Sequence, residues 1–419
     1  MSKNFIARGT RLARYLLLPG LLLALSTNNS LAQETAATDA ETRKALLQRL
    51  NDLELQVKEL KSQMESSTSP SATASDTTHA SAAPQEAMPG HNTGDNTAPK
   101  LQLRGYADVG WNTSDQKKST NSFALGQFNL FISSRLTDKA TFLAETVIEA
   151  DAATNEFGID LERMELIYAV NDHLNLQFGR YHTAMGFYNT AYHHSALMQT
   201  ALGRPFLFDF EDHGGILPVH SVGISATGIV SNKLGLHYIA EIGNGRSPRS
   251  DANPVQSLTD DNNGKAFNLG FFVRPDRVPG LQFGFSNYHD HVTPAGKPAV
   301  TENILAAHIV YQNSRFEFLN EAILQHHSID KAGFNTNILG FYSQISKRFG
   351  NYRPYFRYEY VNVPSRDPLF SDVGLVHGPK AGLRYDLNDF TALKIEYGRE
   401  MHRGLSSVNR LGTQLAFAF

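Results

Sequence analysis

Residues 101–419 alternate between apolar and polar side chains with a period of two, in segments of about 9 to 14 residues. In one segment Tyr352, Phe356 and Tyr360 fall on one face, whereas Arg353 and Arg357 fall on the other. This period is typical of a β-strand that has one apolar and one polar face. The pattern predicts sixteen such strands in this part of the chain.

The connections between the predicted strands alternate between short turns, such as 137–139 and 350–351, and longer loops, such as 183–218. Outer-membrane β-barrels show this alternation, because their periplasmic turns are short and their outer loops are long. A sheet in lipid has to satisfy its backbone hydrogen bonds internally, which requires closure. We therefore predict an all-β fold, a sixteen-stranded antiparallel transmembrane β-barrel over 101–419, with a bore wide enough to hold water.

The longest predicted loop, 183–218, is rich in aromatic residues and histidine. Long loops of this kind are usually functional, so we predict that it folds into the lumen and narrows it. The candidate lumen and constriction residues are basic residues with inward register on the last four strands, namely Arg353, Arg357, Lys380, Arg384, Lys394 and Arg410, together with Arg204, Asp209, Glu211 and Asp212 of the loop. Opposed charged walls create a transverse field that favours polar solutes. The alternative is that these charges are only the solvated lining of a wet barrel.

A heptad pattern precedes the barrel. Its apolar seam consists of Leu46, Leu50, Leu53, Val57, Leu60 and Met64. A helix with one narrow apolar stripe has to bury it, so we predict a coiled-coil oligomerisation helix over 33–65; the alternative is an amphipathic helix docked on its own domain. Residues 66–100 are mostly small and polar, and they predict a disordered linker.

Residues 1–32 have the three parts of a secretory signal peptide. Arg8, Arg11 and Arg14 form a basic region, 15–25 is an apolar stretch, and Ser30-Leu31-Ala32 fits a cleavage site. We therefore expect export, with the helix over 33–65 in the periplasm and the barrel in the outer membrane.

Composition excludes several other classes of protein. The 419 residues contain no cysteine and carry a formal net charge of −3. A disulfide scaffold and a thiolate metal site are therefore excluded, and nucleic-acid binding is not indicated. The sequence contains no HExxH, GxSxG, GxGxxG or P-loop motif, and we expect no catalytic residue, metal site or cofactor.

The last five residues, Leu415–Phe419, alternate and end in phenylalanine. We predict Phe417 and Phe419 to be part of the C-terminal signal that the barrel-assembly machinery reads. The alternative is a last strand that is apolar by chance.

The chain resembles the Gram-negative trimeric porins and is most similar to the phosphate-selective porin O and P type. Within the sequence, the resemblance rests on the segments Leu176-Gln177-Phe178-Gly179-Arg180 and Met185-Gly186-Phe187, and on the terminal Phe419. The resemblance implies a homotrimer of sixteen-stranded barrels that passes small hydrophilic solutes. It also implies a ladder of inward arginines and lysines for phosphate. Here the basic residues cluster on the last four predicted strands and loop 183–218 contributes only Arg204, so phosphate is not indicated as the solute.

Three functions follow as hypotheses. The first is a water-filled channel for passive diffusion of small hydrophilic solutes or ions. Its partners would be outer-membrane lipid, further copies of the chain as a homotrimer, and the barrel-assembly machinery during biogenesis. The second is an outer-membrane barrel enzyme, a protease or phospholipase, against which sixteen strands argue. The third is a structural tether of the envelope, with the barrel as its anchor.

Overall fold

The computed structural model describes residues 100–151, 155–192, 196–211, 213–247, 257–260, 262–294 and 296–419. The chain divides into two units, 1–77 and 78–419, and all described residues belong to the second. The predicted signal peptide 1–32, the helix over 33–65 and the linker up to residue 99 lie outside the described residues. So do Asp212 and the seam residues Leu46, Leu50, Leu53, Val57, Leu60 and Met64. No helix among the described residues is long and apolar enough to cross a bilayer.

Sixteen antiparallel strands form one closed barrel, which confirms the predicted fold. The strands are β1 (Lys100–Ser114), β2 (Ser122–Arg135), β3 (Ala140–Asp151), β4 (Glu156–Asn171), β5 (Leu174–His182), β6 (His220–Ser231), β7 (Leu236–Gly243), β8 (Ala266–Val273), β9 (Leu281–Val292), β10 (Val300–Gln312), β11 (Phe316–Ile329), β12 (Asn335–Lys347), β13 (Tyr352–Asn362), β14 (Leu375–Asn388), β15 (Thr391–His402) and β16 (Val408–Ala418). We call the end with the tight turns, where β1 begins, the turn end, and the opposite end the loop end.

The barrel closes where β1 pairs with β16, from Tyr106 opposite Ala418 to Ser114 opposite Arg410. Beyond that ladder, the main chains of Gly105 and Phe419 exchange two hydrogen bonds, at 2.9 and 3.0 Å. Every strand therefore has two neighbours, and the sheet has no open edge, which a sheet in lipid cannot tolerate.

The two faces of the sheet differ as the dyad pattern predicts. On β10, Glu302, Ile304 and His308 are buried on the inner face, whereas Leu305 and Ile309 are 49% and 55% exposed on the outer face. Large apolar side chains that point away from the enclosed side match the lipid-facing surface of a transmembrane barrel.

Several strands extend further toward the loop end than their sequence patterns predict. The alternation in the sequence predicts that the fourth strand begins at 159 and the fourteenth at 378. In the structure β4 begins at Glu156 and β14 at Leu375. The extra residues still pair with a neighbouring strand, as Leu375 does with Asn362. A strand that continues past the lipid no longer needs an apolar outer face, so its sequence loses the alternation.

One large apolar cluster lies inside the barrel, between the connection 183–219 and the inner faces of β8–β14. Its buried members are Met185, Phe187, Tyr188, Leu207, Phe208, Phe210, Ile216, Leu217, Val219, Ala266, Tyr288, Ile304, Ala306, Val310, Leu319, Ile323, Ile338, Tyr342, Val361, Val363, Phe370 and Val376. An apolar inner face on these strands is not what a uniformly wet bore requires. The connection 183–219 covers this apolar face and removes it from water, which explains why the face is stable.

Candidate functional site

The connection 183–219 between β5 and β6 contains a short helix, α1 (Tyr188–Ala191), and a 3₁₀ turn, Phe206–Phe208. It packs against the inner face of the barrel along much of its length, through the apolar cluster and through hydrogen bonds. It is therefore the main element in the described chain that can shape the interior.

Buried carboxylates on the inner face accept hydrogen bonds from main-chain N–H groups of this connection. Glu321 on β11 accepts from Phe187 and Tyr188, at 2.5 and 2.9 Å. These N–H groups open α1 and have no partner within the helix, as expected at any helix N-terminus. The other carboxylates with this role are Glu241 toward Ala184, Glu359 toward Phe206 and Glu396 toward Leu202.

Basic side chains on the last strands make the complementary contacts to main-chain oxygens. The Nζ atom of Lys394 lies 2.5 Å from the oxygen of Ala196 and 3.0 Å from that of Ala201. Other basic contacts of this kind are Arg384 to Leu197 and Gln199, and Arg357 to Gly203 and Arg204. Hydrogen bonds that involve a charged group are stronger than neutral ones, so residues 196–204 are held firmly against β13–β15.

A third anchor holds the end of the connection to the opposite wall. Glu211 accepts the main-chain N–H groups of Val219 and His220, at 2.7 and 3.1 Å. The His220 ring lies between two carboxylates, with Nε2 at 2.6 Å from Glu162 on β4 and Nδ1 at 3.3 Å from Glu211. The connection is thus fixed on both sides of the interior.

The connection between β13 and β14 is anchored in a similar way. Asp367 accepts hydrogen bonds from His327 at 2.8 Å and from Thr336 at 2.6 Å. Burial favours the neutral acid, but these bonds prevail and hold the pKa of Asp367 below its ordinary value. The second ring nitrogen of His327 lies 2.9 Å from Glu302, which also pairs with Arg246 at 3.0 Å.

The predicted basic residues all lie on the inner face of β13–β16, but most contact protein groups. Besides Arg357, Arg384 and Lys394, Arg353 reaches the Thr200 hydroxyl at 3.3 Å, and Lys380 pairs with Glu359 at 3.1 Å. Arg410 pairs with Glu400 at 3.0 Å and keeps 52% of its side chain exposed. Arg410 is therefore the predicted cation with the most access to solvent.

Arg204, Asp209 and Glu211 of the predicted loop residues make different contacts. Arg204 folds back on its own connection, with Nη2 at 3.1 Å from Asn189 and its guanidinium 4.1 Å from the ring of Phe210. Asp209 lies within the electrostatic influence of Lys380, whereas Glu211 lies against β6. Burial is the main cause that raises the pKa of Asp209 to about 6, and Glu359 adds to it; Lys380 and Arg204 oppose the shift.

Sequence reasoning did not select the anchoring carboxylates Glu321, Glu359 and Glu396, nor His220. Glu359 and Glu396 share their inner-face register with Arg357 and Lys394, so the sequence pattern showed that they point inward. Glu321 instead alternates with Leu319 and Ile323, and His220 shares its register with Val222 and Ile224. The three carboxylates accept hydrogen bonds from main-chain groups, which leave no mark in the sequence. The partners of the His220 ring are the carboxylates of Glu162 and Glu211. Among the described residues, no cluster of three His, Asp or Glu side chains is arranged to hold a metal ion.

A cavity of about 460 Å³ lies between the tip of the connection and the wall formed by β14–β16 and β1. Its lining combines cations, carboxylates, hydroxyls and amides, including Lys380, Arg410, Glu396, Glu400, Asn112 and Ser114. This space is on the side of the interior that the apolar cluster leaves open.

The sequence matches no protein-family model and no curated protein. Solved structures match at the level of fold. The anion-selective porin from Comamonas acidovorans is 12% identical, covers 77% of this chain and 100% of its own, and has a TM-score of 0.54. The outer-membrane channel DcaP of Acinetobacter baumannii is 12% identical, covers 78% and 99%, and has a TM-score of 0.53. OmpT of Vibrio cholerae in its trimer form is 11% identical, covers 77% and 100%, and has a TM-score of 0.51. The chain therefore has the closed sixteen-stranded fold of the outer-membrane porins.

Proposed function

We propose that the protein is an outer-membrane porin, a water-filled channel for passive diffusion of small hydrophilic solutes or ions. The observation that carries this proposal is the closed sixteen-stranded barrel with an apolar outer face and charged groups inside. A barrel of this strand number encloses more space than its own side chains fill. Lipid outside and water inside are the two environments that such a pair of faces requires.

In this proposal the connection 183–219 narrows the lumen. It is anchored to β11 through Glu321 and to β15 through Lys394, and it covers the apolar inner face of β8–β14. The passage then runs along the remaining wall, β14–β16 and β1–β5, past Arg410 and the 460 Å³ cavity. Inner-face acids on that wall, such as Glu149, accompany the cations, so we expect no strong preference for either anions or cations.

The mature protein assembles as a homotrimer, in which the predicted coiled coil over 33–65 joins three periplasmic helices. Support comes from the heptad seam in the sequence and from the trimer form among the structures of the same fold. Phe417 and Phe419 then serve as the assembly signal. A non-enzymatic role is favoured because the buried acids, bases and histidines of the interior are engaged in holding the connection, as Glu211 and His220 are.

Planar-bilayer conductance tests this function. The full-length protein should give stepwise currents, and deletion of 189–202 should raise the conductance, since it removes the part of the connection that Lys394 and Arg384 hold. A shortening of the loop between β11 and β12, by deletion of 331–333, serves as the control and should leave conductance unchanged. Unchanged conductance in the 189–202 deletion would place the narrowing elsewhere. A silent barrel that degrades peptide or lipid would support an enzyme instead.

A further inference from the structure

The outer face of the barrel changes character between β8 and β9. Phe267 on β8 lies directly opposite His289 on β9, and both side chains point outward. From there the ladder continues as His289 opposite Asn303, Asn303 opposite His326, and His326 opposite Asn337. Four neighbouring strands thus carry an unbroken row of alternating histidine and asparagine, which we call the imidazole–amide row.

The row is pre-oriented by hydrogen bonds within the sheet. Nδ1 of His289 lies 2.8 Å from Oδ1 of Asn303, and Nδ1 of His326 lies 2.7 Å from Oδ1 of Asn337. Because an amide oxygen only accepts, each Nδ1 carries the hydrogen. Nε2 of each ring then remains for an external group: it accepts from a hydroxyl when the ring is neutral and donates to an anion when the ring is charged.

Outward residues at the loop ends of β2, β4 and β8 are apolar. Phe123 on β2 is 83% exposed, Phe157 on β4 is 67% exposed, and Phe267 on β8 is 52% exposed. Polar outward residues continue around the row, with Thr301 opposite His291 and with His377 opposite Tyr360. Acyl chains cannot satisfy such polar groups, so their concentration on β9–β14 points to a specific polar partner.

The depth of the row identifies the kind of partner. Below it, toward the turn end, the same strands expose large apolar side chains, including Leu305 at 49%, Leu324 at 46% and Ile345 at 50%. An occupant therefore needs a polar head near the strand ends and long apolar chains beneath. A lipid of the outer leaflet has this division within one molecule, with its headgroup at the strand ends and its acyl chains beneath.

Basic residues stand in the loops beyond the row. Lys297, Lys331 and Arg366 are exposed there, together with two exposed acids, Asp330 and Asp372. A third acid of these loops, Asp367, is buried and engaged with His327. Exposed ammonium and guanidinium groups suit phosphate, whereas imidazole and amide groups suit sugar hydroxyls.

We propose that the imidazole–amide row and these loop cations bind the phosphorylated sugar headgroup of a glycolipid in the outer leaflet of the outer membrane. The inference rests on the proposed outer-membrane location, but not on the channel activity. Sugar hydroxyls contact the Nε2 atoms and amide groups of the row, phosphate contacts the loop cations, and acyl chains cover Leu305 and its apolar neighbours.

The test is retention of lipid by the full-length protein in detergent, measured by native mass spectrometry. The probes are purified deep-rough lipopolysaccharide and, separately, dioleoyl phosphatidylglycerol. The variant H289L/N303L/H326L/N337L keeps an outer face that lipid tolerates, and heat-modifiable mobility on gels verifies that it is folded. We expect its affinity for lipopolysaccharide to fall at least about tenfold, as loss of several hydrogen bonds implies. H173L, which removes an exposed imidazole at the turn end, should retain the parental affinity.

Three results would overturn the proposal: unchanged lipopolysaccharide affinity in the folded variant, equal loss of phosphatidylglycerol, or dissociation of the oligomer, which would make the row a contact between barrels. If the fourfold variant does not fold, H289L/N303L alone should lower the affinity about threefold, and an unchanged affinity would count equally against it. A protein that conducts no current but loses lipopolysaccharide as expected would remove the porin function and leave this inference intact.

Discussion

The ammonium group of Lys394 on β15 lies 3.0 Å from the main-chain oxygen of Ala201 in the connection 183–219. Lys394 is only 1% exposed, so its charge is balanced chiefly by main-chain dipoles and nearby carboxylates rather than by water. This contact ties the tip of the connection to a strand that lies almost two hundred residues further along the chain.

Replacement of Lys394 by methionine should release residues 196–201 from the wall. The substitution leaves two main-chain oxygens without a donor, and such a loss costs about 1–3 kcal/mol. We expect a lower melting temperature in detergent and larger, noisier single-channel currents. Lys347→Met, on the outer face of β12, is the matched control and should behave as the parent. Quiet, unchanged currents in Lys394→Met would show that this contact does not hold the connection in place.

Asp209 should make the stability depend on pH. Its pKa is raised to about 6 by burial, so the folded protein binds the proton more tightly than the unfolded chain does. Stability is therefore greatest below the unfolded pKa, near 3.8, and falls as the pH rises through about 6. Because Asp209 keeps some contact with water, we expect a loss of about 1–2 kcal/mol.

Asp209→Asn removes this titration and provides the test. The variant should melt at a higher temperature than the parent at pH 7, and the difference should vanish near pH 4. The comparison uses thermal unfolding in detergent at a series of pH values. Parallel curves for the two proteins across that range would assign the pH dependence to other groups.

The contact between Gly105 and Phe419 should be sensitive to side-chain size. A β carbon at Gly105 would lie 2.2 Å from the ring of Phe419, which stacks on Phe128 with ring centroids 5.5 Å apart. Gly105→Val displaces the ring and should destabilise the closed barrel by about 1–3 kcal/mol. Gly158→Val on β4, where nothing lies within 4 Å, should have no comparable effect. The stability of both variants is measured by heat-modifiable mobility on gels. Equal stability would show that the Phe419 ring can adopt another position without cost.

The heptad seam predicts that oligomerisation depends on the N-terminal helix. Replacement of Leu53 and Leu60 by aspartate introduces charge into the apolar seam and should weaken the trimer. The control is the double replacement of Asn51 and Ser62 by aspartate, which adds the same charge to the same helix but off the seam. A trimer that survives the seam substitutions on native gels would shift the essential contacts to the barrels.

The strand number, the alternation of turns and loops, and the closure were predictable from sequence because lipid and water impose opposite demands on alternate residues. Tyr352–Asn362 shows this clearly. The anchoring contacts were not predictable. Lys394 and Ala196 are 198 residues apart, and the partner atom is a main-chain oxygen that any residue could supply. The side chains predicted as a charged wall, such as Arg357, give no indication in the sequence that they bind the backbone instead.

Neighbouring acids in the sequence also proved to have different surroundings. Asp209 and Glu211 are two residues apart, yet the first senses Lys380 and the second binds His220. The chain turns between and after them, where Gly215 donates to the oxygen of Phe210 at 2.7 Å and Gly214 adopts a φ of 96°. Only glycine takes that conformation readily, and its effect on the two acids depends on tertiary packing.

The engagement of wall charges with the connection has a consequence for ion flow. Lys394, Arg357 and Glu321 each form hydrogen bonds with main-chain groups of the connection. These partners offset part of the charge of each side chain, which reduces the electric field that a permeating ion experiences. The formal charge count of the interior therefore overstates the electrostatic force on a solute. Substitution of the solvent-accessible Arg410 should alter the reversal potential more than substitution of any of these three buried residues.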